Sequence, residues 1–273
     1  MVTSVEKSVE QIVRGWGRHA ALSKFSVGEQ LAVDRITLPI RGLHPALAGF
    51  RIVQLSDFHL YPFTQLSFLR SAVEQANALK PDLIVLTGDY VTLDAEAIDE
   101  LAPLLATLDA RHGVYGVLGN HDLWTNRRTI EAGFANARVP LLINQQISIA
   151  AGQGQLHLVG LDDGWSGQPD LAAALDAVPA HAPAILLLHE PDLFDEYAAD
   201  PRIRVQLSGH SHGGQVRMWG NQPPILPRYG RKYVQGLFQL QETWLYTNRG
   251  LGYTSIPIRV NCPPEITEVT LDA

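Results

Sequence analysis

From about Arg51 onward, short and predominantly apolar runs alternate with longer segments of helical periodicity. The runs are Ile52–Leu55, Leu83–Leu86, Val114–Leu118, Leu156–Leu161, Ala184–Leu188 and Ile203–Leu207. Their length suits strands buried on both faces better than helices. Between the first two, Leu66, Leu69, Val73, Ala76 and Leu79 mark one face of a helix ending before Pro81. Between the second and third, Ile98, Leu101, Leu105 and Leu108 do the same, and Arg111-His112-Gly113 reads as a basic last turn with a glycine stop. Pro103 lies inside that stretch, so the helix is expected to start late or to kink there. Alternation of strand and helix over Arg51–Arg138 predicts βαβ units, hence an α/β fold with a largely parallel sheet. After Gly209 the chain turns to Gly, Pro, aromatics and short strand-like pieces such as Thr243–Thr247 and Ile266–Leu271.

The first 24 residues stand apart from a body expected to span 25–273. Val2, Val5, Val9, Ile12, Val13 and Trp16 recur at helical spacing, with Lys7, Arg14 and Arg18 elsewhere on the wheel. This amphipathic segment reads as a helix docked on the body, with an interfacial membrane helix as the alternative; Glu6 and Glu10 leave it hardly basic. It lacks the apolar core and cleavage site of a secretory signal, so the cytoplasm, or its membrane face, is the expected location.

Composition adds exclusions. The single cysteine, Cys262, rules out an internal disulfide framework and any thiolate zinc site. A net charge of −7 argues against generic nucleic-acid binding, which needs surplus Lys and Arg. Ten histidines are the one compositional oddity.

Five of the six runs lead into groups able to bind metal: Asp57-Phe58-His59, Gly88-Asp89, Gly119-Asn120-His121-Asp122, His189, and Gly209-His210-Ser211-His212. In open α/β sheets ligands bind at the carboxyl ends of strands, so these loops are expected to converge on one edge. Asp57, Asp89, Asn120, His59, His189, His210 and His212 offer too many oxygen and nitrogen donors for one tetrahedral ion and suit a pair of divalent ions. Imidazole with carboxylate fits zinc, iron or manganese. Asp89, alone in its motif, is the natural bridge.

This ordered set resembles the calcineurin-like metallophosphoesterase superfamily over about Phe50 to Gly214. Beyond it, Gly213-Gly214-Gln215-Val216-Arg217, Tyr229-Gly230-Arg231-Lys232-Tyr233, Arg249-Gly250-Leu251-Gly252 and Cys262-Pro263-Pro264-Glu265-Ile266 resemble a bacterial subfamily of membrane-associated phosphodiesterases and UDP-2,3-diacylglucosamine hydrolases. The resemblance implies a four-layer α/β/β/α sandwich with two mixed β-sheets. It implies Asp57, His59, Asp89 and His212 at one metal, and Asp89, Asn120, His189 and His210 at the other. It further implies a metal-bridging hydroxide as nucleophile, His121 as the acid that protonates the leaving oxygen, and Asp122 as the group orienting its imidazole.

From Gly213 to Pro264 six basic residues face one acid, Glu242. Arg217, Arg231 and Lys232 are therefore expected to form an anion-facing wall beside the metals, interleaved with Trp219, Tyr229, Tyr233 and Trp244. Asp162 and Asp163 read as loop hydrogen-bonding residues, and Trp124 as either a pocket wall or a core aromatic. The expected activity is phosphodiester or pyrophosphate hydrolysis on a phosphorylated small molecule or lipid-linked substrate, with peripheral membrane contact. Broad phosphomonoesterase or cyclic-nucleotide phosphodiesterase activity is the alternative, and a non-catalytic binding module a third reading that the complete ligand set disfavours.

Overall fold

A computed structural model describes residues 30–218 and 223–273; the amphipathic segment over residues 1–24 and Trp219 lie outside them. In chain order the strands are β1 (Ala32–Pro39), β2 (Arg51–Leu55), β3 (Leu83–Thr87), β4 (Val114–Val117), β5 (Gln145–Ala151), β6 (Gly154–Gly160), β7 (Ala184–Leu187), β8 (Ile203–Ser208), β9 (Gly236–Leu240), β10 (Thr243–Thr247) and β11 (Glu265–Asp272). The helices are α1 (Leu66–Ala78), α2 (Ile98–Leu105), α3 (Asn120–Ala137), α4 (Leu171–Leu175) and α5 (Phe194–Tyr197). Two mixed sheets form, in the orders β1-β11-β2-β3-β4 and β5-β6-β7-β8-β10-β9.

The apolar runs are buried on both faces because each sheet is covered twice. Ile52, Leu83, Val85 and Val117 of the first sheet meet Leu158, Ile185, Leu187, Val205 and Leu207 of the second. The alternate residues Val53, Leu55, Ile84 and Leu86 turn outward onto Leu69, Val73, Ile98, Leu101 and Phe134 of α1–α3. On the far side, Val159, Leu186 and Leu188 pack on Leu175 and Tyr197. A strand whose period-two positions all meet apolar neighbours must be apolar throughout. Gln54 breaks the rule, and its amide donates to Thr87 Oγ1 (3.0 Å) and Ser208 O (2.9 Å), tying the two sheets together beneath the ligand loops.

Two details differ from the sequence expectation. Helix α2 begins at Ile98, before Pro103, because Asp94 caps the preceding turn by accepting from Glu96 N (3.0 Å). It ends at Leu105, so Arg111-His112-Gly113 is no helix end. Those residues instead lead into β4, with Arg111 paired to Asp82 (3.0 Å) and His112 N donating to Asp82 O (2.7 Å). Among the described residues no helix is long and apolar enough to cross a membrane.

Candidate metal centre

Every candidate ligand sits just past the carboxyl end of a strand. Asp57 and His59 follow β2, Asp89 follows β3, and Asn120 follows β4 as the first residue of α3; His189 follows β7, and His210 and His212 follow β8. The first sheet thus supplies one half of the cluster and the second sheet the other. Asp57, His59, Asp89, His210 and His212 all hold positive φ, between 45° and 71°. Asp and His tolerate this left-handed region better than most residues, and such strain persists where surrounding packing over-determines it. Gly88, at φ 93°, needs its missing side chain: a Cβ there would lie 2.7 Å from both Gly119 N and His189 Nδ1.

The donor atoms interlock. His212 Nε2 lies 3.0 Å from His59 Nε2 and 3.2 Å from Asp57 Oδ1. Asp89 Oδ2 lies 3.3 Å from His59 Nε2 and 3.1 Å from His189 Nε2, so one carboxylate oxygen stands between two imidazoles. Three overlapping groups have metal-binding spacing: Asp57-His59-His212, His59-Asp89-His121 and Asp89-His189-His210. Asn120 Oδ1 is buried without a hydrogen-bond partner, an acceptor aimed where a cation would satisfy it. Outer contacts fix the ring orientations. His189 Nδ1 meets Thr87 O (2.6 Å) and His210 Nε2 meets Arg228 O (2.7 Å). The residues present therefore fit divalent ions.

Burial, with the other histidines nearby, depresses His59 to about 4 and His210 to about 3, leaving both imidazoles neutral. Burial opposes charge on Asp57 as well, yet His212 and His189 hold its carboxyl below the usual range. At His189, burial is outweighed by Asp89, which raises the imidazole well above its ordinary value.

His121 is half-buried, and its Nδ1 meets Thr92 O at 2.8 Å. Asp122 does not orient it, contrary to the sequence expectation. The Asp122 carboxylate instead accepts from Asp89 N (2.9 Å), Tyr90 N (2.8 Å) and Gly119 N (2.9 Å), bracing the two ligand loops. The reason is helical: residues 121 and 122 are consecutive in the first turn of α3, and neighbours on a helix do not face each other. Burial and the Asp89 carboxylate push Asp122 up to about 8, against the pull of the Gly119 and Tyr90 N–H groups.

A cavity of 320 Å³ opens over the cluster, reached by His59, Asp89, Asn120, His121, His210 and His212. Its walls are Phe63, Leu93, Trp124, Trp165, Val216, Pro224–Pro227 and Ile256. Arg217, Arg231 and Lys232 do not line it. Arg217 is buried and donates to Gly213 O (2.8 Å), Lys232 pairs with Asp195 (2.6 Å), and the Arg231 side chain is exposed elsewhere. The expected cationic wall is therefore an apolar one. Trp124 touches the His121 ring (4.8 Å) and Trp165 (4.9 Å), so it serves the pocket rather than the core. Asp163 and Glu190 hold the Trp165 loop by accepting from Trp165 N (3.1 Å) and Gly164 N (2.8 Å). Sequence reasoning missed Thr92, which acts through its main chain, and Trp165, whose only signal was its place after a strand.

Interlocked carboxylates and imidazoles at the edge of two packed mixed sheets define a metal-dependent phosphoester hydrolase. The chain belongs to the calcineurin-like phosphoesterase family, whose model matches residues 50–214. It is 36% identical to the uncharacterized metallophosphoesterase YkuE of Bacillus subtilis, covering 82% of this chain and 79% of that one. It is 35% identical to the phosphodiesterase YaeI of Escherichia coli (82% and 83% covered). The UDP-2,3-diacylglucosamine pyrophosphatase LpxG of Chlamydia trachomatis is 30% identical (86% and 88% covered). The fold is shared with the NAD nucleotidase of Haemophilus influenzae, at a TM-score of 0.52 and 16% identity over 74% of this chain; the chain spans 45% of that structure.

Proposed function

We propose that the chain hydrolyses a phosphodiester or pyrophosphate bond at a dinuclear centre held by Asp57, His59, Asp89 and His212 on one side and Asp89, Asn120, His189 and His210 on the other. The observation that carries this reading is the Asp89 oxygen standing between His59 and His189, so that one carboxylate would serve both halves of the donor set. Two divalent ions, manganese, zinc or iron, would supply Lewis-acid charge at phosphorus and a water made nucleophilic near neutral pH. The protein's own part is positioning. Thr92 O fixes His121 through Nδ1, which turns Nε2 into the cavity. There the imidazole would pass a proton to the leaving oxygen. The apolar walls suit an apolar substituent, and the names of YaeI and LpxG support a diester or pyrophosphate on a phosphorylated or lipid-linked molecule.

Purified protein assayed for bound metal and for hydrolysis of bis-p-nitrophenyl phosphate with added manganese tests the reading. Activity lost in Asp89→Ala supports it; wild-type protein that binds no metal and cleaves no phosphoester sinks it. In His121→Ala, metal is expected to stay while most activity disappears. Loss of metal in that variant would make His121 a ligand instead.

A further inference from the structure

The apolar wall does not stop at the cavity mouth. Met218, Ile225, Ile256, Ile258 and Val260 are between 38% and 75% exposed, although each is aliphatic or thioether and none is polar. They form one surface because their segments are laced together. Arg217 N donates to Val260 O (2.9 Å), Val260 N to Gln215 O (3.0 Å), and Gln215 Nε2 to Ile256 O (2.8 Å). Ile225 and Ile256 also line the cavity, so the patch is continuous with the site. Arg228 and Arg231 follow on the same loop, exposed; the Arg228 guanidinium lies over the Tyr229 ring (4.4 Å), and Arg231 N donates to Asp192 (2.7 Å).

An exposed patch of this kind marks an interaction surface. Protein hot spots centre on aromatic anchors set in pockets, whereas the exposed residues of this rim are aliphatic or thioether, with arginines following them in the chain. Shallow apolar insertion beside positive charge is what an anionic lipid surface takes. We propose that this rim docks on the headgroup region of an anionic bilayer and thereby presents the cavity mouth to phosphoesters carried by lipids. The docking stands on the surface alone; the delivery of substrate rests on the phosphohydrolase reading above.

The test uses the full chain loaded with manganese and mixed with vesicles of phosphatidylethanolamine and phosphatidylglycerol. Wild-type protein is expected to sediment with them, and the double variant Met218→Asp, Ile258→Asp to lose binding at least about tenfold, since two apolar contacts become charged. Neither residue lines the cavity, so hydrolysis of water-soluble bis-p-nitrophenyl phosphate is expected to persist and reports that the variant is folded. An environment-sensitive fluorophore on Ile258→Cys is expected to shift to the blue when vesicles are added. Wild-type protein that stays in the supernatant, or a double variant that binds as well, overturns the proposal. So does a fluorophore already shielded without vesicles. Shielding that grows with protein concentration would place a second copy on the rim, and constant shielding would place residues 1–29 there. Vesicle binding by a protein inactive on every phosphoester would keep the docking and remove only the phosphohydrolase reading.

Discussion

Replacing Asp122 with Asn separates a brace from an orienting group. One carboxylate oxygen accepts from Asp89 N and Gly119 N, and the other from Tyr90 N. An amide offers a single oxygen, so its NH₂ must face at least one buried N–H. One unpaired buried donor costs about 1–3 kcal/mol. A destabilisation of about 1–3 kcal/mol corresponds to a fall in Tm of roughly 2–12 °C for a chain of this size. Calorimetry of the manganese-loaded protein measures it. Manganese affinity is expected to fall too, because the displaced backbone carries Asp89. The shape of the pH–rate profile is expected to hold, since the His121 ring rests on Thr92 O. If Asp122 instead oriented that imidazole, Asn would leave Tm unchanged and lower kcat by up to about 10⁴-fold, the loss seen when an orienting carboxylate becomes an amide. That outcome would refute the bracing role.

Three further outcomes follow from the same geometry. Asp89 Oδ2, 3.1 Å from Nε2, and Thr87 O, 2.6 Å from Nδ1, put an acceptor at each ring nitrogen of His189 and favour a second proton on the metal-free imidazole, raising it above its ordinary value. Metal binding must release that proton, and calorimetric titration in buffers of different ionisation enthalpy should show that release; buffer-independent heats would contradict it. Gly88→Ala puts a Cβ 2.7 Å from Gly119 N and His189 Nδ1 at a φ of 93°, and should cost about 1–3 kcal/mol together with metal affinity. Wild-type metal content and Tm would argue against that crowding. Trp165→Ala should raise KM about tenfold for a substrate with an apolar substituent while changing kcat little, and an unchanged KM for that substrate would show that the ring is not a substrate wall.

The readable part of the fold was the part buried on both faces. The runs at Ile52, Leu83, Ala184 and Ile203 announce themselves because sheet and helix layers both demand apolar residues. Strands β1 and β5 carry polar residues among apolar ones at half-buried edges, which dilutes the signal. The candidate ligands were legible because each follows a strand, and strand ends share an edge. The roles of their neighbours were not. Asp122 stands beside His121 in sequence yet faces other loops from the helix. The basic tail looked like an anion site because its partners are remote: Arg249 pairs with Asp34 (2.9 Å) and Glu265 (2.8 Å), and Arg259 NH2 donates to Gly252 O (2.6 Å). Local charge counts do not contain those distances.

Strand β11 has a consequence for how the chain is made. It runs between β1 and β2, parallel to the first along Ala32–Pro39 and antiparallel to the second. The sheet bearing Asp57, Asp89 and Asn120 therefore lacks an interior strand until residue 272 has been synthesised. During translation β1 has no partner to zip onto, and β2 shows one open edge to whatever is nearby. Closure joins residues more than two hundred positions apart, a slow step by topology alone. Until β11 emerges the nascent chain is thus an incomplete sheet, and chaperone protection of the β2 edge matters most over that interval.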